Sequence, residues 1–332
     1  MPGPRGRGAA CLSQLGTTPK QRQINQLDPA AATRHRRVVS FRIAHLSDAH
    51  IGPLPRPMIR ELLNKRFTGY VNWRRRSHIH NMEVLGEIVA DIRAHAPDHV
   101  AMTGDILNIG LPEEFRFARA WLETLGDPTH VSFVPGNHDA YVRGSLPWIV
   151  DTFGPWCSND GDTKTSFPYL RVRGDVALIG LSSGVPTLPL LASGRVGEAQ
   201  MRVFSSLLED TGKRGLFRVV MIHHPPWQSG ASFGRGLTDA RAFERTVARH
   251  GAELILHGHN HRLMVRKLAS PSGAVPSIGV ASASAVPGTP HHRAAWHLYT
   301  VEKRGNGWSI EGRIRGLQSG ERRVSDLGEV PF

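Results

Sequence analysis

Five short clusters in this sequence are built from residue types that hold metal ions. They are Ser47-Asp48-Ala49-His50, Gly104-Asp105, Gly136-Asn137-His138-Asp139, His223-His224-Pro225-Pro226 and Gly258-His259-Asn260-His261. Carboxylates, imidazoles and an amide carbonyl suit Mn²⁺, Fe or Zn²⁺. Two such ions about 3.5–4 Å apart need a carboxylate that bridges them, and together they can bind and deprotonate one water. The hydroxide then attacks phosphorus in line with the leaving group. Glycine beside a ligand lets the backbone turn sharply and bring the side chain to the metal. Each cluster alone has an ordinary reading, since Gly-Asp and Asp-x-His occur in surface turns. Five in fixed order point to one two-metal hydrolytic site.

Such ligands must be held at the ends of strands. Apolar runs over residues 38–46, 99–103, 131–135, 218–222 and 253–256 lead into the five clusters in turn. Open α/β sheets place their sites at such strand ends. Helical spacing separates the runs. Met82, Leu85, Val89 and Ile92 recur at three and four, as do Phe117, Trp121 and Leu125. Val203, Leu207 and Leu208 continue the pattern, and Phe243 and Val247 follow a Thr238 or Asp239 cap. Strand and helix in alternation predict a parallel sheet covered by helices. Residues 262–268, 277–281, 296–301 and 308–315 read as strands without helices between them, which predicts a second, mostly antiparallel sheet beside the first.

The motifs Asp48-x-His50, Gly104-Asp105-x-x-Asn108, Gly136-Asn137-His138-Asp139, His223 and Gly258-His259-x-His261 resemble the signature of the calcineurin-like metallophosphoesterases in order and spacing. The resemblance covers roughly residues 40–300. It implies an α/β fold of the four-layer α/β/β/α sandwich type and a binuclear metal centre. It implies that Asp48, His50 and His261 hold one ion, that Asn137, His223 and His259 hold the other, and that Asp105 bridges them. His138 would then stabilise developing charge or protonate the leaving oxygen, and Asp139 would orient His138 through a hydrogen bond. His223, the first histidine after its strand, fits the family's His-x-Pro arrangement better than His224, which is left to line the pocket. Asn108 stands where many family members carry an acid, at a supporting position.

Composition bounds the partners. Of 332 residues, 40% are hydrophobic, enough for a packed core, and Lys+Arg 41 against Asp+Glu 28 gives a net charge of +13. That balance fits an anionic partner: a phosphate ester, nucleic acid or an acidic lipid surface. The basic residues concentrate in an insertion over residues 53–80, which follows the first ligand pair and so belongs at the rim of the site. There Leu62, Leu63, Phe67, Tyr70 and Trp73 mix with Arg56, Arg60, Lys65, Arg66, Arg74, Arg75 and Arg76. The insertion reads as a cap for an anionic, partly apolar substrate, or as a contact of residues 56–76 with an acidic membrane surface. The plain alternative is a packed helix with a solvated basic edge. Nucleic acid is not the expected partner.

Cys11 and Cys157 make no disulfide scaffold, and a cytoplasmic protein, at most peripheral at the membrane, is expected. Residues 1–36 read as a disordered basic tail, 37–317 as the catalytic domain and 318–332 as a loose C-terminal tail. Among the other histidines, His45 reads as core, His78, His80, His95 and His99 as surface or interface, and His257 as structural. His291 and His292 are candidates for the mouth of the site. The expected activity is hydrolysis of a small phosphodiester of the cyclic nucleotide or glycerophosphodiester type, because no accessory domain is visible. The alternative is a pyrophosphohydrolase or phosphatase acting on a lipid-linked or nucleotide substrate. A non-catalytic protein- or nucleic-acid-binding scaffold would lack some ligands or His138, and here all are present.

Overall fold

The apolar runs become strands and the periodic segments become helices. The computed structural model describes residues 40–162, 164–286, 293–305, 307–318 and 323–332. The tail expected over residues 1–36, and His291 and His292, lie outside them. In chain order the elements are β1 (Ser40–Leu46), α1 (Arg66–Arg76), α2 (Met82–Ala94), β2 (His99–Met102), α3 (Pro112–Leu125), β3 (Val131–Phe133) and α4 (Leu146–Phe153). There follow β4 (Tyr169–Arg173), β5 (Val176–Gly180), α5 (Glu198–Lys213), β6 (Phe217–Met221), α6 (Ala240–His250) and β7 (Leu254–His257). The chain closes with β8 (Met264–Ser270), β9 (Gly273–Gly279), β10 (Ala295–Arg304), β11 (Gly307–Leu317) and β12 (Val324–Glu329).

Among the described residues the strands form two six-stranded sheets, ordered β12-β11-β10-β1-β2-β3 and β4-β5-β6-β7-β9-β8. In the first, the parallel strands β1-β2-β3 form one side and the antiparallel β10, β11 and β12 the other; in the second, a parallel centre β5-β6-β7-β9 has the antiparallel β4 and β8 outside it. Helix α2 lies against β10 and β12, α5 against β5 and β6, and α6 against β8. The result is the four-layer α/β/β/α sandwich. Side chains alternate across a strand. Thus Val219, Met221, Leu254 and Leu256 join the large core shared by both sheets, whereas Val220 and Ile255 join the core under α5 and α6. There Phe204 of α5 stacks on Phe243 of α6 at 5.3 Å, both fully buried.

Several sequence expectations need correction. The late strands do not form a sheet of their own. Strands β8 and β9 extend the second sheet, while β10, β11 and β12 extend the first from β1. A parallel strand leaves its outer backbone groups unpaired, and the returning chain pairs them. Of the C-terminal tail expected over 318–332, residues 323–332 are not loose, because β12 pairs with β11 and Val330 is buried against Gly312; residues 319–322 lie outside the described residues. In α3 the buried stripe is Phe115, Ala118, Leu122 and Leu125, and Phe117 faces solvent. In α5 it is Phe204, Leu208 and Thr211, and Val203 faces solvent. Asp239 stands at the start of α6, but its carboxylate accepts from Val196 N (3.1 Å) and Gly197 N (2.7 Å) instead of capping the helix.

Candidate metal centre

The five clusters meet where the parallel strands end. The turns are tied to each other through the backbone: Asp48 N donates to Gly104 O (2.9 Å), His50 N to Asp105 O (3.1 Å) and Gly258 N to His223 O (3.0 Å). Eight non-glycine residues among those described have positive φ, and five of them are Asp48, His50, Asp105, His259 and His261. A left-handed conformation costs an L-residue about 1–2 kcal/mol, so strain has been gathered on the sequence-selected residues. Two glycines show how closely these turns pack. A Cβ on Gly136 would strike the Asp105 carboxylate, and one on Gly258 would strike Ser47 Oγ and Asp48 Oδ2.

All seven sequence-selected ligand residues come together. Asp48 Oδ1 lies 3.2 Å from His261 Nε2, and that atom lies 3.4 Å from His50 Nε2. Asp105 Oδ2 lies 3.1 Å from His223 Nε2, and Asn137 Oδ1 lies 3.0 Å from His259 Nδ1. Asp48, Asp105 and His223 offer ligand atoms within 4.8 Å of one another, which links the two halves. Rings are oriented by backbone carbonyls: His50 Nδ1 donates to Leu107 O (3.0 Å) and His223 Nδ1 to Thr103 O (2.7 Å). In each case Nε2 is left to turn toward the centre. His261 is half-buried; the other six are buried.

These donors fit metal ions. Asp48 Oδ1, His223 Nε2 and His259 Nε2 are buried and have no hydrogen-bond partner. Buried polar atoms left in that state are costly unless something else satisfies them. Burial opposes ionisation of Asp48 and Asp105, yet His261 beside the first and His223 beside the second hold both carboxyls below the usual carboxylate range. Burial disfavours charge on His223 as well, but Asp105 outweighs it and holds that imidazole above its ordinary value. The pocket therefore demands positive charge at its centre, which ligated cations supply.

His138 sits at the edge of this cluster. Its backbone N donates to Asp105 Oδ1 (2.8 Å), its Nδ1 donates to the Asn108 carbonyl, and its ring meets His50 edge-on at 4.8 Å. Asp139 does not orient it, contrary to the sequence expectation. The Asp139 carboxylate instead accepts from the backbone N–H groups of Asp105 (2.8 Å), Ile106 (3.0 Å), Leu107 (3.1 Å) and Gly136 (2.8 Å). Asp139 thus shapes the loop that presents Asp105. The orienting of His138 passes to Asn108, whose own loop is held by the buried Glu114 carboxylate through Asn108 N (2.7 Å) and Leu111 N (2.8 Å).

A cavity of about 750 Å³ opens over the cluster. His80, read as a surface residue, lines it: its ring lies 4.6 Å from that of His50, and its Nδ1 and Ser284 Oγ are 2.8 Å apart. His99, also read as surface or interface, is buried away from the cavity beside Ser132. His224 is buried, with Nδ1 2.8 Å from Ser183 Oγ and its ring 4.4 Å from that of His259. Tyr141, Arg235 and the insertion residue Lys65 also line the cavity, and no short-range motif marked the first two as site residues. Tyr141 is recognisable only as lying three residues after His138.

A two-sheet sandwich with aspartates, histidines and an asparagine gathered at its strand ends defines a metallophosphoesterase. The chain belongs to the calcineurin-like phosphoesterase family, whose model matches residues 41–263. It is similar to the glycerophosphodiester phosphodiesterase GpdQ of Enterobacter lignolyticus, at 26% identity over 228 residues, 67% of this chain and 71% of that protein. It is similar to a probable cyclic nucleotide phosphodiesterase of a Synechococcus species, at 24% identity over 227 residues, 66% of this chain and 78% of that protein. Among solved structures, a dimetal phosphatase from Danio rerio aligns over 87% of this chain and 98% of its own, at 14% identity and a TM-score of 0.49. The protein is a phosphoester hydrolase of a family that depends on two metal ions.

Proposed function

We propose that this hydrolase cleaves a small phosphodiester of the glycerophosphodiester or cyclic nucleotide type. The observation that carries the reading is the convergence of all seven candidate ligands under a cavity whose volume suits a small organic ester. The two curated relatives, named for those two substrate types, support it. In this reading Asp48, His50 and His261 hold one ion, Asn137, His223 and His259 the other, and Asp105 is shared. Bound there, Mn, Fe or Zn ions supply Lewis acidity and a nucleophile from water at neutral pH. The Asp105 carboxylate keeps the two half-sites in register, and the Asp139 carboxylate holds the Asp105 turn open at the right angle. His138 donates a hydrogen bond from Nδ1–H to the Asn108 carbonyl, so its Nε2 is free to meet the substrate. Protonated there, it stabilises the charge that builds on phosphorus oxygens and returns a proton to the departing alkoxide.

The test is a metal-by-substrate matrix covering monoesters, diesters, cyclic nucleotides and lipid-linked pyrophosphates, with metal content measured on each preparation. Asp105→Ala is expected to lose metal and all turnover of bis-p-nitrophenyl phosphate. His138→Ala is expected to keep both ions and lose about 10²–10⁴ in kcat. Loss of metal in that variant would make His138 a ligand and overturn the assignment. A preparation that is fastest on monoesters would overturn the substrate class.

A further inference from the structure

The walls of the cavity carry more positive charge than a single phosphodiester needs. Lys65, Arg75, Arg76 and Arg235 all line it, and Asp105 is the one carboxylate among its described lining residues. None of the four cations forms an ion pair with a carboxylate among the described residues. A phosphodiester brings one negative charge, and the metal centre takes it.

Two of these cations are brought together by the fold. Lys65, at the start of α1, donates its Nζ protons to Thr187 Oγ1 (2.5 Å) and Leu191 O (2.9 Å). The next residue, Ala192, donates its N–H to Gly234 O (2.9 Å), beside Arg235. Lys65 and the residue that precedes Arg235 therefore both bond to residues 191–192, and both cations line the same cavity. Lys65 also lies 4.6 Å above the Tyr141 ring, which stacks on His138 at 5.6 Å. The pair thus stands close to the reacting end of the cleft. Apolar groups stand at the same mouth: Phe67 is 57% exposed and Leu190 91% exposed, and both line the cavity. Burial pushes the Lys65 ammonium down to about 8, so an arriving anion would stabilise its charged form.

On the phosphodiesterase reading above, we propose that Lys65 and Arg235 form a second anion subsite, which takes a carboxylate or phosphate on the organic part of the substrate, with the apolar remainder of that part against Phe67 and Leu190. Arg75 and Arg76 add attraction at the rim. The preferred substrate is then a phosphodiester with a second negative charge and some apolar surface.

The experiment uses the full-length, metal-loaded protein and two diesters with the same leaving group. These are phenyl p-nitrophenyl phosphate and its analogue with a carboxylate on the phenyl ring. Wild type is expected to prefer the carboxylated diester at least tenfold in kcat/KM. Lys65→Met and Arg235→Met are each expected to cut that preference about tenfold, through KM. Arg235→Lys and Thr187→Val, which keep both charges, should retain the preference, and salt should erode it. No preference in wild type, or equal losses on the two diesters in the variants, would overturn the subsite. Failure of both diesters to turn over in a preparation holding its metal would instead overturn the phosphodiesterase reading. If circular dichroism shows Lys65→Met to be misfolded, the exposed Arg235 carries the test alone.

Discussion

At the scale of single residues, Asp139 and His99 show what burial does to a polar side chain. The four backbone donors that converge on Asp139 would be left unpaired by Asp139→Ala. Each buried unpaired group costs about 1–3 kcal/mol, so the variant is expected to lose at least about 3 kcal/mol in urea unfolding of the metal-free protein. Unchanged stability with reduced turnover would restore the His138-orienting role. His99 bridges β2 to β3 at 2.8 Å from Ser132 Oγ, and its Nδ1 has no partner. Burial, then Arg173 and Arg171, push it down to about 3 from its ordinary 6.5. Below about pH 6.5 the unfolded chain takes up a proton that the fold refuses until about pH 3, so stability is full above 6.5 and falls as the pH drops. One such proton contributes a slope of up to about 1.4 kcal/mol per pH unit. His99→Asn is expected to remove that share of the slope between about pH 6 and 4, and equal slopes in the two proteins would refute the buried neutral imidazole.

At the scale of elements, two segments that no motif announced hold the site in place. The β4–β5 hairpin closes one edge of the second sheet and carries Arg171, whose buried guanidinium donates to the carbonyls of Pro128, Val131, Pro155 and Ser158. Two of those carbonyls, Pro128 and Val131, stand at the start of β3, which leads to Gly136 and Asn137. The second segment is the turn at the start of α3, where Glu114 collects the amides of Asn108, Ile109 and Leu111 and so sets the carbonyl that meets His138. Glu114→Ala is expected to lower kcat at least tenfold with metal content unchanged, because only the His138 side of the site is released. Loss of metal along with activity would show that the turn supports the ligands directly. Strands that end in ligands were legible because five apolar runs, each leading into a cluster of ligand types, stand in one fixed order. The hairpin and the α3 turn were not, because their contribution is made through backbone carbonyls and amides that no side-chain pattern records.

At the scale of the whole molecule, the last strand ties the described C-terminal residues into the first sheet. Strand β12 pairs with β11, Val330 is buried, and Phe332 packs near Tyr299 at 6.2 Å. Removing residues 323–332 is expected to lower the free energy of unfolding by about 3 kcal/mol, from the lost apolar burial alone. A loose tail would leave it unchanged. By itself the sequence determined the class of fold and the type of chemistry, because ligand type and strand periodicity are local properties that need no partner to be read, and its resemblance to a known family named the seven candidate ligands. The tertiary structure decided that Asp139 serves the Asp105 loop, that the late strands divide between two sheets, and that His80 reaches the cavity. It also brought Lys65 and Arg235, from separate segments, to the wall of one cavity. Each of these depends on segments far apart in the chain being brought into contact by packing, and spacing along a chain carries no record of that distance.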